Sequence, residues 1–170
     1  MLVSAYDRLT PRSTPFANTM PVIHITTEIA APVQRCFDLA RDIDFHVQSM
    51  AGTGERAVAG TTSGLISAGE WVTWEGRHFG VRQRFTAQIT AVDLPYHFQD
   101  VMTAGAFQSF VHDHRFEETT DGTLMRDEIS FRSPYGLVGQ LVDVTFMKGY
   151  LTRLLTDRCQ AIKREAELNR

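Results

Sequence analysis

Apolar and polar positions begin to alternate at Val22. The run VIHITTEI places Ile23, Ile25, Thr27 and Ile29 on one side and His24, Thr26 and Glu28 on the other. That period of two predicts a half-buried strand. Ala-Ala-Pro follows, and Pro32 suits the first turn of a helix, where its missing N–H has no partner to lose. Val33, Cys36, Phe37 and Ala40 then recur at helical spacing, and Asp42 or Asp44 is placed to cap a second short helix running to about Met50. Glycines and hydroxyl residues between Gly52 and Gly69 predict a loop containing one weak strand, Glu55 to Ala59.

Antiparallel segments come next. Glu70 to His78 and Val81 to Ala91 predict a hairpin turning at Phe79-Gly80, with Trp74 opposite Phe85 and Glu75 opposite Arg84. Tyr96 to Thr103 is a further strand, entered through Pro95. Phe107 to Thr120 and Thr123 to Arg132 meet at Asp121-Gly122, a strong two-residue turn signal. That register sets Glu117 opposite Arg126 and Arg115 opposite Glu128 on one face. The other face carries Phe110, His112, His114 and Phe116 against Phe131, Ile129 and Asp127. After Ser133-Pro134, Leu137, Leu141, Val144, Met147, Leu151, Leu154, Leu155 and Ile162 form a stripe at helical spacing. They predict one terminal helix of about thirty residues, roughly 45 Å long, with a charged tail from Lys163 that frays.

The order is strand, two helices, six strands, long helix, which predicts an α+β fold. A curved antiparallel sheet of about seven strands must cover its apolar face, and only the terminal helix is long enough to do so. A curved sheet against a straight cylinder leaves a cavity between them. Residues 1–19 hold Pro11 and Pro15 and show neither period, so they are expected to be a flexible N-terminal extension to a domain spanning 20–170.

Composition narrows the function classes. The chain has 170 residues, 43% hydrophobic and 22% charged, with a net charge of -3. These values exclude a wholly disordered chain, and the charge leaves no basic footprint for nucleic acid. No run approaches the ~20 apolar residues of a membrane span. The first twenty residues lack the apolar core of a secretory signal, so a cytoplasmic location is expected. Cys36 and Cys159 form neither a disulfide framework nor a paired zinc motif, and their helical positions predict small buried packing residues. No G-x-S-x-G elbow, phosphate-binding glycine loop or H-E-x-x-H motif is present.

Four segments carry a resemblance: VIHITTEIAAPVQRCFDLARDIDFH, GEWVTWEGRHFGVRQRFTAQIT, FVHDHRF and SPYGLVGQL. Together they resemble bacterial members of the START/SRPBCC superfamily, over about Pro21 to Glu165. The resemblance implies the helix-grip fold of lipid-transfer domains, pollen-allergen-like proteins and polyketide aromatase/cyclases. It implies no obligatory cofactor or metal, and it is specific for fold rather than activity.

His112-x-His114 is the sharpest chemical constellation. Residues i and i+2 of a strand point the same way, and Asp127 shares their face. Such a group can hold zinc, serve as a general acid and base with Asp127 orienting one imidazole, or satisfy itself inside a polar pocket. Asp100 is a second possible partner. His112, His114 and Asp127 are therefore the catalytic candidates. Trp74, His78, Gln83, Phe85, Phe98, Phe110, Phe131 and Met147 are the ligand-binding candidates, with Phe146 also expected to face inward. Several aromatic rings on a concave sheet favour a flat or elongated apolar ligand, and Met102, Met125 and Met147 would make the pocket adaptable. Glu75 and Arg77 are expected outward, with Glu75–Arg84 an ordinary surface pair. The expected partner is thus a small hydrophobic molecule such as a lipid, a quinone-like compound or an aromatic metabolite. The alternatives are a cofactor-free cyclase or dehydratase acting on a polyketide-like substrate, and a protein-binding module.

Overall fold

In a computed structural model, which describes residues 20–168, the chain runs β1 (Val22–Ile29), α1 (Val33–Arg41), α2 (Ile43–Ser49), β2 (Arg56–Gly60), β3 (Trp71–His78), β4 (Val81–Asp93), β5 (His97–Ala104), β6 (Ser109–Thr119), β7 (Gly122–Arg132), α3 (Gly136–Val142) and α4 (Lys148–Leu168). The expected extension, residues 1–19, lies outside the described residues. The seven strands form one antiparallel sheet in the order β1-β7-β6-β5-β4-β3-β2. The helix-grip expectation is met, with α4 packed across β1 and α1. Asp42, rather than Asp44, caps α2: its carboxylate accepts from the Asp44 and Phe45 N–H groups. Phe37 of α1 is fully buried between the rings of Phe98 and Phe116, at 5.6 and 5.5 Å, and closes one end of the core. Cys36 and Cys159 are buried free thiols, as expected. No helix among the described residues is long and apolar enough to cross a membrane.

The β3–β4 hairpin has the expected register, with Trp74 opposite Phe85, Glu75 opposite Arg84 and the turn at Phe79-Gly80. The β6–β7 hairpin does not. Thr119 pairs with Gly122, so the turn is Thr120-Asp121 and every pairing slides by two residues. Gly122 sets this register: its φ is +146°, and a Cβ there would lie 2.1 Å from the Ile29 carbonyl oxygen. The glycine is needed where the hairpin meets the end of β1, inside the ladder. A slide of two preserves the faces, because side chains alternate with a period of two. It changes partners, however: Asp127 comes directly opposite His114, and Phe131 opposite Phe110. Arg115 faces Arg126 instead of Glu128, while Glu117 keeps its ion pair with Arg126 on the diagonal.

The terminal helix also departs from expectation. A π turn over Asp143–Met147 separates α3 from α4, and α4 has 21 residues. One extra residue in a helical turn advances the phase by about 100°. Leu151 and Ile162 therefore face the sheet, while Leu137, Leu141, Val144 and Phe146 are exposed. Asp143 holds the break in place. Fully buried, it accepts from the Ser133 N–H at 3.0 Å and from the Ser133 hydroxyl. The helix continues past Lys163, where fraying is expected to begin, as far as Leu168. Arg35 donates to the Ala166 and Glu165 carbonyls at 3.0 and 2.9 Å, which ties the last helical turn to α1.

Candidate functional site

Between α4 and strands β3 to β6 the sheet curves away and leaves a cavity of about 200 Å³. Trp74, His78, Gln83, Phe85, Phe98 and Phe110 line it from the sheet, and Met147, Leu151 and Leu155 from the helical side. His112 and His114 also reach it. Asp127, Phe131, Phe146, Met102 and Met125, expected there, do not; Met125 is instead fully buried in the core. Phe131 is buried one layer deeper, beneath the ring of Phe107 at 5.8 Å, because the β5–β6 connection brings Phe107 over it. Asp127 lies behind the two histidines. Phe146 is half exposed and does not line the chamber; it packs tilted against Phe79 and stacks on Tyr150, which do.

The strand period brings His112 and His114 side by side, with ring centroids 3.7 Å apart. Asp127 Oδ1 lies 3.0 Å from His112 Nε2 and 2.7 Å from His114 Nδ1, the second contact off the line of a hydrogen bond. On the cavity side, Asp100 Oδ2 lies 3.1 Å from His114 Nε2 and 3.9 Å from His112 Nδ1. Phe98 stacks on His114 at 4.0 Å, and the Cys159 thiol donates to the second oxygen of Asp127 at 3.4 Å. Both carboxylates are thus contacted by both imidazoles.

Charge follows from this geometry. Burial pushes the Asp127 carboxyl up, but its contacts with His112 and His114 outweigh that and hold it far below the usual range. Asp100 behaves likewise, with His114 its main counterweight. Burial and the neighbouring His114 lower His112. Burial also opposes charge on His114, yet Asp100 and Asp127 together overcome it and raise its pKa. Two anionic carboxylates, a neutral His112 and a readily protonated His114 result. Burial, then the Asp127 charge, pushes the Cys159 thiol up, which leaves it an unreactive donor.

A second polar group meets the same cavity. His46 Nε2 lies 2.8 Å from Glu55 Oε2, His78 Nε2 lies 3.7 Å from Glu55 Oε1, and the Tyr150 hydroxyl lies 2.6 Å from His78 Nδ1. Trp74 stacks on His46 at 3.9 Å. Glu55 reaches this position because Gly76 faces it: a Cβ at Gly76 would come within 2.8 Å of Glu55 Cγ. From α4, Arg158 lines the cavity wall, donating to the Ala40 carbonyl at 2.7 Å with its Nε unpartnered among the described residues. Sequence reasoning missed His46, Glu55, Tyr150 and Arg158. One signal was present, since an inward-facing glycine within a strand marks the close approach of another group. Glu75 is outward as expected, but it is no ordinary surface pair. Arg56, Arg84 and Arg82, at 2.7, 3.1 and 3.5 Å, leave it 7% exposed.

The donor atoms of Asp100, His112 and His114 all lie within 4.8 Å of one another, so these are the residues able to hold a metal ion. Asp100, the alternative partner named from sequence, completes that set.

Comparison with known proteins agrees with this architecture. Residues 20–167 match the family model described as polyketide cyclase / dehydrase and lipid transport. No curated protein matches the sequence. Among solved structures, TTHA0849 from Thermus thermophilus is 17% identical with a TM-score of 0.67, covering 86% of this chain and 99% of that one. Ginseng major latex-like protein 151 from Panax ginseng is 16% identical with a TM-score of 0.64, covering 86% and 97%. A START superfamily protein from Mycobacterium smegmatis is 15% identical with a TM-score of 0.64, again over 86% and 97%. At such identities the likeness speaks for the fold alone. The family match spans the sheet, both polar groups and nearly all of α4, and on that ground the chain belongs to the polyketide cyclase / dehydrase and lipid transport family.

Proposed function

We propose that this protein binds a small, mainly apolar molecule carrying a polar oxygen, held between the sheet and α4. One observation carries the reading: an aromatic-lined cavity whose inner wall presents the Asp100/His112/His114 edge. Apolar walls with a few convergent polar groups give burial and orientation together. A lipid, a quinone-like compound or an aromatic metabolite with a carbonyl or hydroxyl group fits that division.

The test is native mass spectrometry of the full chain as purified, followed by solvent extraction and titration with an apolar fluorescent probe. Ala87 lines the cavity on β4 and is buried, so Ala87→Trp fills the chamber from its wall. The expected result is stoichiometric probe binding by the wild type and a loss of at least about tenfold in affinity in the variant, ~1.4 kcal/mol. Equal binding by a folded Ala87→Trp protein would overturn the reading.

Acid–base turnover in the same chamber is a second reading, favoured by the contrast between His112 and His114. An imidazole that holds its proton weakly beside one that holds it more firmly supplies a base and an acid for enolisation or aldol closure. Deuterium uptake into a bound 1,3-diketone, followed by NMR, measures it. Wild-type protein should accelerate exchange, and His112→Gln should lose about 10²–10⁴-fold while still binding the diketone. No acceleration by the wild type would remove this reading and leave the binding one intact.

A further inference from the structure

We infer that Asp100, His112 and His114 form a binding site for one divalent first-row transition ion, open to the cavity, with Asp127 holding both imidazoles from behind. The inference deepens the proposed reading of the cavity as a binding chamber and supplies its innermost contact.

The two sides of the imidazole pair are not equivalent. His112 Nε2 hydrogen-bonds Asp127 Oδ1 at 3.0 Å, which directs its proton there, whereas His114 Nε2 hydrogen-bonds Asp100 Oδ2 at 3.1 Å and its Nδ1, 2.7 Å from Asp127 Oδ1, lies off a hydrogen-bond line. An incoming cation takes the His112 Nδ1 lone pair and displaces the proton from His114 Nε2, while His114 keeps a proton on Nδ1 beside Asp127. The two coordinating nitrogens are then His112 Nδ1 and His114 Nε2. Both point to the side where Asp100 Oδ2 sits, 3.9 and 3.1 Å away. Three electron-rich atoms therefore converge on one spot. A proton can bridge only one pair of them, whereas a metal cation can satisfy all three.

The spacing suits such an ion. Bond lengths of about 2.0–2.2 Å and angles near 90–110° separate donors by roughly 3.0–3.5 Å. The His114–Asp100 distance already falls in that range, the His112–Asp100 distance needs to close by about half an ångström, and all three donor atoms lie within 4.8 Å of one another, so side-chain rotation has to draw the set together around the ion. Two imidazoles and one carboxylate favour a first-row transition ion over magnesium or calcium, which prefer all-oxygen shells. Asp127 occupies the place of the outer carboxylate that commonly fixes the tautomer and orientation of metal-bound histidines. Phe98, stacked on His114, limits ring rotation. Asp100, His112 and His114 all line the cavity while Asp127 does not, so the remaining coordination positions face the chamber. Arg158 is the one cationic side chain on α4 lining this wall, and its charge acts on Asp100 while its guanidinium donates to the Ala40 carbonyl.

The experiment uses the full chain, stripped with a chelator and titrated with Co²⁺. The expected result is one ion per chain, with visible ligand-field bands of an open four- or five-coordinate site. Asp100→Asn should weaken binding by more than about tenfold. His24→Gln, which alters an exposed histidine on β1, should leave it unchanged. A second measurement needs no variant. On Zn²⁺ addition, the ¹⁵N resonances of His112 Nδ1 and His114 Nε2 should shift while the opposite nitrogens stay protonated. Absence of stoichiometric Co²⁺ uptake, equal uptake by folded Asp100→Asn, or ¹⁵N shifts confined to other histidines would each overturn the inference. Probe binding to the same stripped protein separates the two readings. Probe without Co²⁺ refutes the metal site and keeps the binding chamber, and Co²⁺ without probe does the reverse.

Discussion

His46 shows how one buried side chain ties stability to pH. Burial first, and the Arg158 charge second, lower its pKa from the usual 6.5 despite the Glu55 carboxylate beside it. Asp100 adds a weaker opposing charge. Glu55 is itself held below its usual 4.5, because its bonds to His46 outweigh its burial. Both groups therefore bind protons less readily in the folded state than in the unfolded one, so stability rises with pH across the window between the two pKa values. The contribution of His46 is complete above pH ~6.5 and is lost as pH falls through its folded value, and that of Glu55 follows below ~4.5. Urea midpoints measured at pH 7.5 and 5.5 should fall on acidification. His46→Gln, which cannot titrate, should flatten that fall; an unchanged pH slope in the variant would assign the effect elsewhere.

At the scale of elements, the strands were legible and their ends were not. The inner face of β6 and β7 could be read because alternation survives any even slide. The register could not, since it depends on what packs against Gly122, and that is the far end of β1. The slide matters for the site: it turns a diagonal relation between His114 and Asp127 into a direct one. The terminal stripe was legible as helix, but a residue count cannot reveal a π turn, which rests on Asp143 meeting Ser133. Asp143→Ala removes both of those bonds, at an expected cost of about 1–3 kcal/mol. It should also raise hydrogen exchange across 136–147 selectively, with β6 and β7 unaffected. Uniform acceleration would show that Asp143 supports the whole fold instead.

For the whole molecule, the sequence of elements, the seven-stranded antiparallel sheet and the covering helix followed from periodicity plus the need to bury one face of a sheet. The central histidine pair followed too, because an H-x-H on a strand fixes its own geometry locally. The polar group around Glu55 was out of reach. It is assembled from α2, the loop before β2, the end of β3 and α4, and its members acquire a common address only when the chain has folded. Arg158 hid for a similar reason, as one more charge on a charged terminal helix until α1 supplies its carbonyl partner.

The two thiols have a practical consequence for watching this protein at work. Cys36 sits on α1 and Cys159 on α4, both buried, and burial depresses the nucleophilicity of each. An alkylating reagent can reach them only when the surrounding element lifts, so labelling rates become clocks for local opening. A ligand that enters by lifting α4 should slow labelling of Cys159 once bound, while Cys36 keeps time with global unfolding. Equal protection of both residues, resolved by peptide mass spectrometry, would mean instead that the chamber opens only when the whole domain does.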